Sequence, residues 1–80
     1  MRIDKGTVDR WKKYADLYVR ESGHILEDVT NYGQAWDIAF SLDIPQEAYH
    51  MGNGINDNHI DTALRKIFPN VNQKTSRGKI

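Results

Sequence analysis

The chain has 80 residues, no cysteine and a formal net charge of zero. A chain of this size forms one domain with a limited core, and without cysteine it has neither disulfides nor thiolate metal ligands. Its composition, 39% hydrophobic and 28% charged, is that of a globular protein and argues against disorder for most of the chain. No apolar run approaches the ~20 residues that span a bilayer. Residues 1–13 lack the apolar stretch of a signal peptide, so we expect a cytoplasmic protein with no membrane partner.

The charges are unevenly distributed along the chain. Residues 1–20 carry a net charge of +3, residues 21–61 carry −8 without any Lys or Arg, and residues 62–80 carry +5 without any acid. A distribution of this kind tells more about the partners of a protein than about its fold. Either the basic ends neutralise the acidic middle within one molecule, or these segments meet charged partners.

A first helix is predicted between two glycines. Thr7, which follows Gly6, is a suitable N-cap, and Ser22-Gly23 offers the left-handed turn that commonly ends a helix. Between these points the apolar residues fall on one side of a helix and the charged residues on the other. The apolar side holds Val8, Trp11, Ala15, Tyr18 and Val19, and Trp11 is expected to be partly exposed.

A second, central helix is predicted over residues 32–42, where apolar residues cover most of the circumference. Residues 24–31 fit either its first turn or a packed connection. Pro45 fits the first turn of a short third helix over residues 45–51, with Asp43 or Ile44 at its cap.

The fourth helix is predicted over residues 57–68, after a Gly-Asn-Gly loop and a cap at Asn56 or Asp57. Pro69 ends it, and the polar, basic segment 70–80 is expected to be a flexible tail. The fold class is therefore all-α: a single-domain bundle of about four helices over residues 1–69. The expected core consists of Trp36, Ile38, Ala39, Phe40, Leu42, Ile60, Leu64 and Ile67.

Residues 44–66 have the ordered small and apolar positions of a helix-turn-helix. The motif needs a small residue where its helices cross, a glycine at the turn and apolar residues that fix the second helix on the first. Those positions are filled by Ala48, Met51, Gly52, Ile55, Ile60, Ala63 and Leu64. The stretch resembles the helix-turn-helix of phage Cro and repressor proteins, with two additional residues in the turn. The resemblance covers about a quarter of the chain and implies a small DNA-binding regulator of phage or mobile-element type.

The resemblance also implies which residues would meet double-stranded DNA. Asn56, Asn58 and Thr62 would face the bases, because asparagine can pair with adenine and threonine can meet a base edge. Two acids on the same helix, Asp57 and Asp61, would be repelled by phosphates. Phosphate contacts would come from Arg65, Lys66, Lys74, Arg77 and Lys79, with Arg10, Lys12 and Lys13 as further candidates. A homodimer would use the exposed part of the first helix or the tail.

The acidic segment 21–61 supports a different hypothesis, a protein-protein interaction module. A phage-type inhibitor of a nucleic-acid-handling host protein is one example, since an acidic surface fits a basic groove. Its binding residues would be Asp57, Asp61, Glu47 and Tyr49. The two hypotheses place opposite electrostatic demands on the last helix.

Catalysis and cofactor binding have no sequence support. The chain lacks a nucleophile elbow, a phosphate-binding glycine loop and a zinc-protease motif, so we predict that it is not an enzyme. Its histidines, His24, His50 and His59, have no metal-ligand spacing, and we expect surface or capping roles for them.

Overall fold

The computed structural model describes residues 3–51 and 54–71. It has four helices, and no strand occurs within those ranges, which confirms the all-α prediction. The helices are α1 (Lys5–Glu21), α2 (Tyr32–Ser41), α3 (Ile44–His50) and α4 (Asp57–Ile67). Helix α1 packs mainly on α4, and α2 packs mainly on α3.

Helix α1 begins three residues earlier than the predicted cap implies. Asp4, not Thr7, is the N-cap, and its side chain accepts a hydrogen bond of 2.8 Å from the Thr7 backbone N–H. The prediction of Thr7 as the cap was wrong because Asp4 accepts from the Thr7 N–H and so caps a helix that already contains residues 5–7. The same hydrogen bond, to a backbone N–H, lowers the pKa of the Asp4 carboxyl below 3.8.

The end of α1 follows the prediction. Gly23 has φ +81°, and its N–H and that of His24 bond back to the carbonyls of Arg20 and Val19 at 2.9 and 3.0 Å. This pair of hydrogen bonds forms a Schellman motif, which a left-handed glycine makes possible. The chain then crosses to α2 through one 3₁₀ turn, Leu26–Asp28. Residues 24–31 are therefore a packed connection and not the first turn of α2.

The core is centred on a different tryptophan from the one predicted. Trp11 of α1 is fully buried, whereas Trp36 is half-buried and Phe40 is 60% exposed. Of the residues expected in the core, Ile38, Ala39, Ile60, Leu64 and Ile67 are buried and Leu42 is partly buried.

Two assignments to the buried faces were therefore wrong. Phe40 lies outside the core, where it contacts the Trp36 ring at a centroid distance of 5.7 Å, and Tyr18 on α1 is 40% exposed. Both side chains keep a large part of their surface in contact with solvent. An apolar residue on a helix is buried only where another element packs against it.

The caps of α3 and α4 match one of the two residues predicted for each. Asp43, in the left-handed region at φ 60°, precedes α3, and Pro45 lies in its first turn. Asn56 caps α4: its side chain accepts from the backbone N–H groups of Asn58 and His59, and His59 Nδ1 accepts from the Asn56 N–H. The capping role expected for a histidine is thus found at His59. Residues 52 and 53 of the predicted loop lie outside the described residues, and Gly54 has φ +91°.

The folded part extends two residues further than predicted. After Pro69, the Asn70 side chain donates a hydrogen bond of 2.8 Å to the Glu27 carbonyl, and Val71 is fully buried. Both residues, which we had assigned to the tail, pack against the helical body. The rest of the predicted flexible tail, residues 72–80, lies outside the described part of the chain.

Candidate nucleic-acid interface

Helix α4 divides into a buried and an exposed side. Its apolar stripe, formed by Ile60, Ala63, Leu64 and Ile67, is at most 2% exposed, as the spacing predicted. On the opposite side Asn58, Thr62 and Lys66, each four residues apart, form an exposed polar strip. Side chains at this spacing lie above one another on a helix. We call these three residues the α4 strip.

The two asparagines predicted to contact bases differ in whether their side chains are already hydrogen-bonded. The Asn56 side-chain oxygen accepts hydrogen bonds of 2.9 and 3.4 Å as the helix cap. Bidentate pairing with adenine needs both the oxygen and the nitrogen of the amide, so capping competes with base contact at Asn56. The Asn58 side chain makes no hydrogen bond within the described ranges. Its backbone carbonyl accepts a hydrogen bond of 3.0 Å from the Thr62 hydroxyl. Asn58 is therefore the better placed of the two.

Asp61 is held by two neighbours on different helices. Its carboxylate accepts a hydrogen bond from the Tyr32 hydroxyl of α2 and another, at 3.1 Å, from Nε of Arg65. The Arg65 guanidinium lies 5.2 Å from the centre of the Tyr32 ring. Burial, followed by the bond to Asp61, raises the pKa of the Tyr32 hydroxyl above 10.0. Asp61 and Arg65, four residues apart on α4, form an ion pair whose side chains are 26% and 30% exposed.

The other acidic candidates also have partners inside the protein. The Asp57 carboxylate accepts from the Tyr49 hydroxyl, which raises the pKa of Tyr49 above 10.0, first through that hydrogen bond and then through burial. Glu47 accepts a hydrogen bond of 3.0 Å from the Trp11 indole and also pairs with Arg10. The four residues predicted to bind a protein partner thus all make side-chain hydrogen bonds within the protein: Glu47, Tyr49, Asp57 and Asp61.

The basic candidates are dispersed. Lys66 is exposed on the α4 strip, and Arg65 is partly buried beside Asp61. On α1, Arg10 pairs with Glu47, while Lys12 and Lys13 are exposed. The tail candidates, Lys74, Arg77 and Lys79, lie outside the described residues.

Sequence reasoning missed the tyrosines that hold the acids of α4. Tyr32 was assigned to the start of the central helix and Tyr49 to an interface, and neither was paired with an acid. Tyr32 is 29 positions from Asp61, so no local pattern connects them. The short separation of Tyr49 from Asp57, eight positions across a turn, was the one available signal.

Neither a metal site nor a membrane span appears where the structure can be described. Within residues 3–51 and 54–71, no group of three or more His, Asp or Glu side chains could hold a metal ion. The helices of the same ranges are too short and too polar to cross a bilayer.

Comparisons with protein-family models, with curated proteins and with solved structures found no match to this chain.

Proposed function

We propose that the protein is a small DNA-binding regulator of phage or mobile-element type that presents α4 to the major groove. The observation that carries this proposal is the α4 strip, which is exposed, polar and without a carboxylate among its three members. In a helix-turn-helix the second helix enters the major groove and the first crosses the backbone. Here α3 and α4 would take those two roles, with Ala48 and Ala63 as the buried small residues.

The contacts of Asp57 and Asp61 within the protein bear on the repulsion expected between these carboxylates and DNA phosphates. Asp61 lies beside the positive charge of Arg65, so the field of this pair at a phosphate is weaker than that of a lone carboxylate. Asp57 has only an uncharged partner, the Tyr49 hydroxyl, and it is exposed at the first turn of α4. A nearby phosphate would therefore be repelled mainly by Asp57. The same contacts weigh against a free acidic surface for a basic host protein.

A dimer would double the small DNA-contacting surface. Tyr14, Leu17 and Tyr18 occupy positions i, i+3 and i+4 on α1 and are 41%, 58% and 40% exposed. This apolar strip is the contact we propose for a homodimer. Two copies would then place their α4 helices in half-sites about 34 Å apart, one turn of DNA.

The test is DNA binding measured by fluorescence anisotropy at several salt concentrations, first with random duplexes and then with sequences selected from them. Lys66→Ala should reduce affinity for every duplex and lower the salt slope by about 0.9, the value for one lost phosphate contact. Asn58→Ala should instead reduce discrimination at one base pair by about 1–3 kcal/mol. Lys5→Ala removes the same charge from α1 at an exposed lysine that is not among the predicted phosphate contacts, and it is the matched control. An equal effect of Lys5→Ala and Lys66→Ala would contradict a role for the α4 strip.

One double variant of α4 should have opposite effects on affinity under the two functional hypotheses. Asp57→Asn with Asp61→Asn removes two negative charges from α4 and should tighten non-specific DNA binding. If the protein instead binds a basic protein partner, the same double variant should weaken that complex and slow its association. If the double variant leaves DNA binding unchanged, the proposed orientation of α4 on DNA is wrong.

A further inference from the structure

A groove of about 540 Å³ lies between the C-terminal part of α1, the 3₁₀ turn and α2. Its apolar lining includes Val19, Val29 and Ile38, one from each of these parts of the fold. The aromatic row of α2, formed by Tyr32, Trp36 and Phe40, is not part of the groove lining. The groove is separate from the α4 strip.

The charge of this groove is negative. Asp28 and Asp37 are among its lining residues, and no Lys or Arg is among them. The Asp28 carboxylate accepts from the Ile25 N–H at 3.0 Å and lies 3.2 Å from His24 Nδ1. The bond to the Ile25 N–H, followed by the contact with His24, lowers the pKa of Asp28, which therefore stays ionised. Asp37 is exposed, and its carboxylate has no ion pair within the described ranges. The groove thus fits a basic segment with some apolar character.

Such a segment begins beside the groove. The Asn70 side chain bonds to the Glu27 carbonyl at 2.8 Å, next in sequence to Asp28, and Val71 is buried. The next nine residues, 72–80, contain Lys74, Arg77, Lys79 and no acid. Nine extended residues reach at most about 30 Å, and Lys74 is about 10 Å of extended chain from Val71. The covalent connection keeps the effective concentration of these bases near the groove high.

We propose that the groove between α1 and α2 binds the basic segment 72–80 of the same chain. Its Lys and Arg side chains pair with Asp28 and Asp37, and Ile80 can contact the apolar lining. The bases of this segment are also the proposed phosphate contacts, so DNA and the groove compete for them. The groove would thereby lower non-specific DNA affinity. The test below contains no DNA, and its outcome is independent of the DNA-binding proposal.

A single spin label tests the contact in the full-length chain. Because the protein has no cysteine, Ser76→Cys provides one attachment site, which lies outside the described part of the chain. Paramagnetic broadening of backbone amide signals then reports which residues approach the label. We expect the signals of Val29, Asp37 and Ser41 to lose most of their intensity at low salt, while those of Asn58 and Thr62 keep theirs. At 1 M salt, where the Debye length is about 3 Å, the broadening at the groove should be largely lost.

Two controls make the result decisive. Asp37→Asn should reduce the broadening at Val29 and Ser41, whereas Asp57→Asn removes an exposed carboxylate from α4 and should leave it unchanged. In a mixture of labelled, isotopically unenriched chains with unlabelled, enriched chains, the broadening at the groove should be much weaker than in the labelled, enriched chain. Equally strong broadening there would overturn the same-chain assignment, because the segment of a second copy would then occupy the groove. Broadening absent from the single chain, or equal at the groove and on α4, would overturn the proposal.

Discussion

The indole Nε1 of Trp11 donates a hydrogen bond of 3.0 Å to the Glu47 carboxylate, joining α1 to α3 across 36 positions of sequence. The ring itself is fully buried, while Glu47 keeps part of its surface in water and also pairs with Arg10. The largest side chain of the core is thereby fixed in orientation by a group at the protein surface. This contact holds α3 against α1.

Trp11→Ala should destabilise the protein far more than Trp36→Ala. The buried ring leaves a cavity, so we expect Trp11→Ala to cost about 3–5 kcal/mol in the free energy of unfolding. Trp36 is half-buried, and its removal should cost clearly less. Urea denaturation followed by circular dichroism measures both. Equal losses would mean that the core is not centred on Trp11.

The Tyr32–Asp61 hydrogen bond should show energetic coupling between α2 and α4. Tyr32→Phe keeps the ring beside Arg65 and removes only the donor, so we expect a cost of about 0.5–1.5 kcal/mol. A double-mutant cycle with Asp61→Ala, which removes the acceptor oxygen, isolates the pair. The exposed Lys5–Asp9 pair, with side chains 87% and 59% exposed, is the comparison and should couple by only about 0.3–0.5 kcal/mol. A cycle without coupling would exclude Tyr32 as the group that holds Asp61.

Substitution by alanine should have opposite effects on stability at two glycines, one in the first turn of α1 and one just after its end. Gly23 has φ +81°, and a Cβ there meets no atom within 4 Å, so Gly23→Ala should cost about 1–2 kcal/mol from backbone strain alone. Gly6 lies in the first turn, where a Cβ makes an ordinary contact of 3.7 Å with the Asp4 side chain. Gly6→Ala should stabilise the protein by up to about 1 kcal/mol. Thermal unfolding of the two variants measures both signs, and a stabilising Gly23→Ala would contradict the left-handed cap.

Acid should destabilise the protein in part through Asp4 and Asp28. The pKa of each carboxyl is lowered in the folded state from an ordinary value of 3.8, mainly by a hydrogen bond from a backbone N–H. Their contribution is therefore present above pH 3.8 and is lost as the pH falls through the folded-state pKa. Asp4→Asn retains a capping oxygen but does not titrate. Its free energy of unfolding should vary less with pH than the wild type's between about pH 2 and pH 5, and an unchanged pH profile would contradict this role.

Raising the pH above 10 should destabilise the protein in part through Tyr49. The pKa of its hydroxyl is raised above 10.0 in the folded protein, first by the hydrogen bond to Asp57. The contribution of the protonated phenol is present below pH 10.0 and is lost as the pH rises through the folded-state pKa. Tyr49→Phe should thus lose less stability above pH 10 than the wild type. Chemical denaturation at pH values on both sides of 10 provides the measurement, and Tyr14→Phe, which removes a phenol without a hydrogen-bonded partner in the described ranges, is the control.

The sequence alone determined the features that depend on near neighbours in the chain. The apolar stripe of α4, its Asn56 cap and the left-handed end of α1 at Gly23 were predicted, because each follows from residues within one or two turns. The Asp4 cap was equally local but was missed, since both Asp4 and Thr7 are good capping residues and only the path of the backbone selects between them.

Tertiary structure decided how the helices are covered and which charges meet. Periodicity identifies an apolar side of a helix but not how much of it a neighbour covers, so Phe40 was placed in the core although it is exposed. The partners of Asp61 and Glu47 come from other helices, and no local pattern pairs residues that are 29 or 36 positions apart. Electrostatic interaction depends on distance in space, and only the packed helices bring Tyr32 to Asp61 and Trp11 to Glu47.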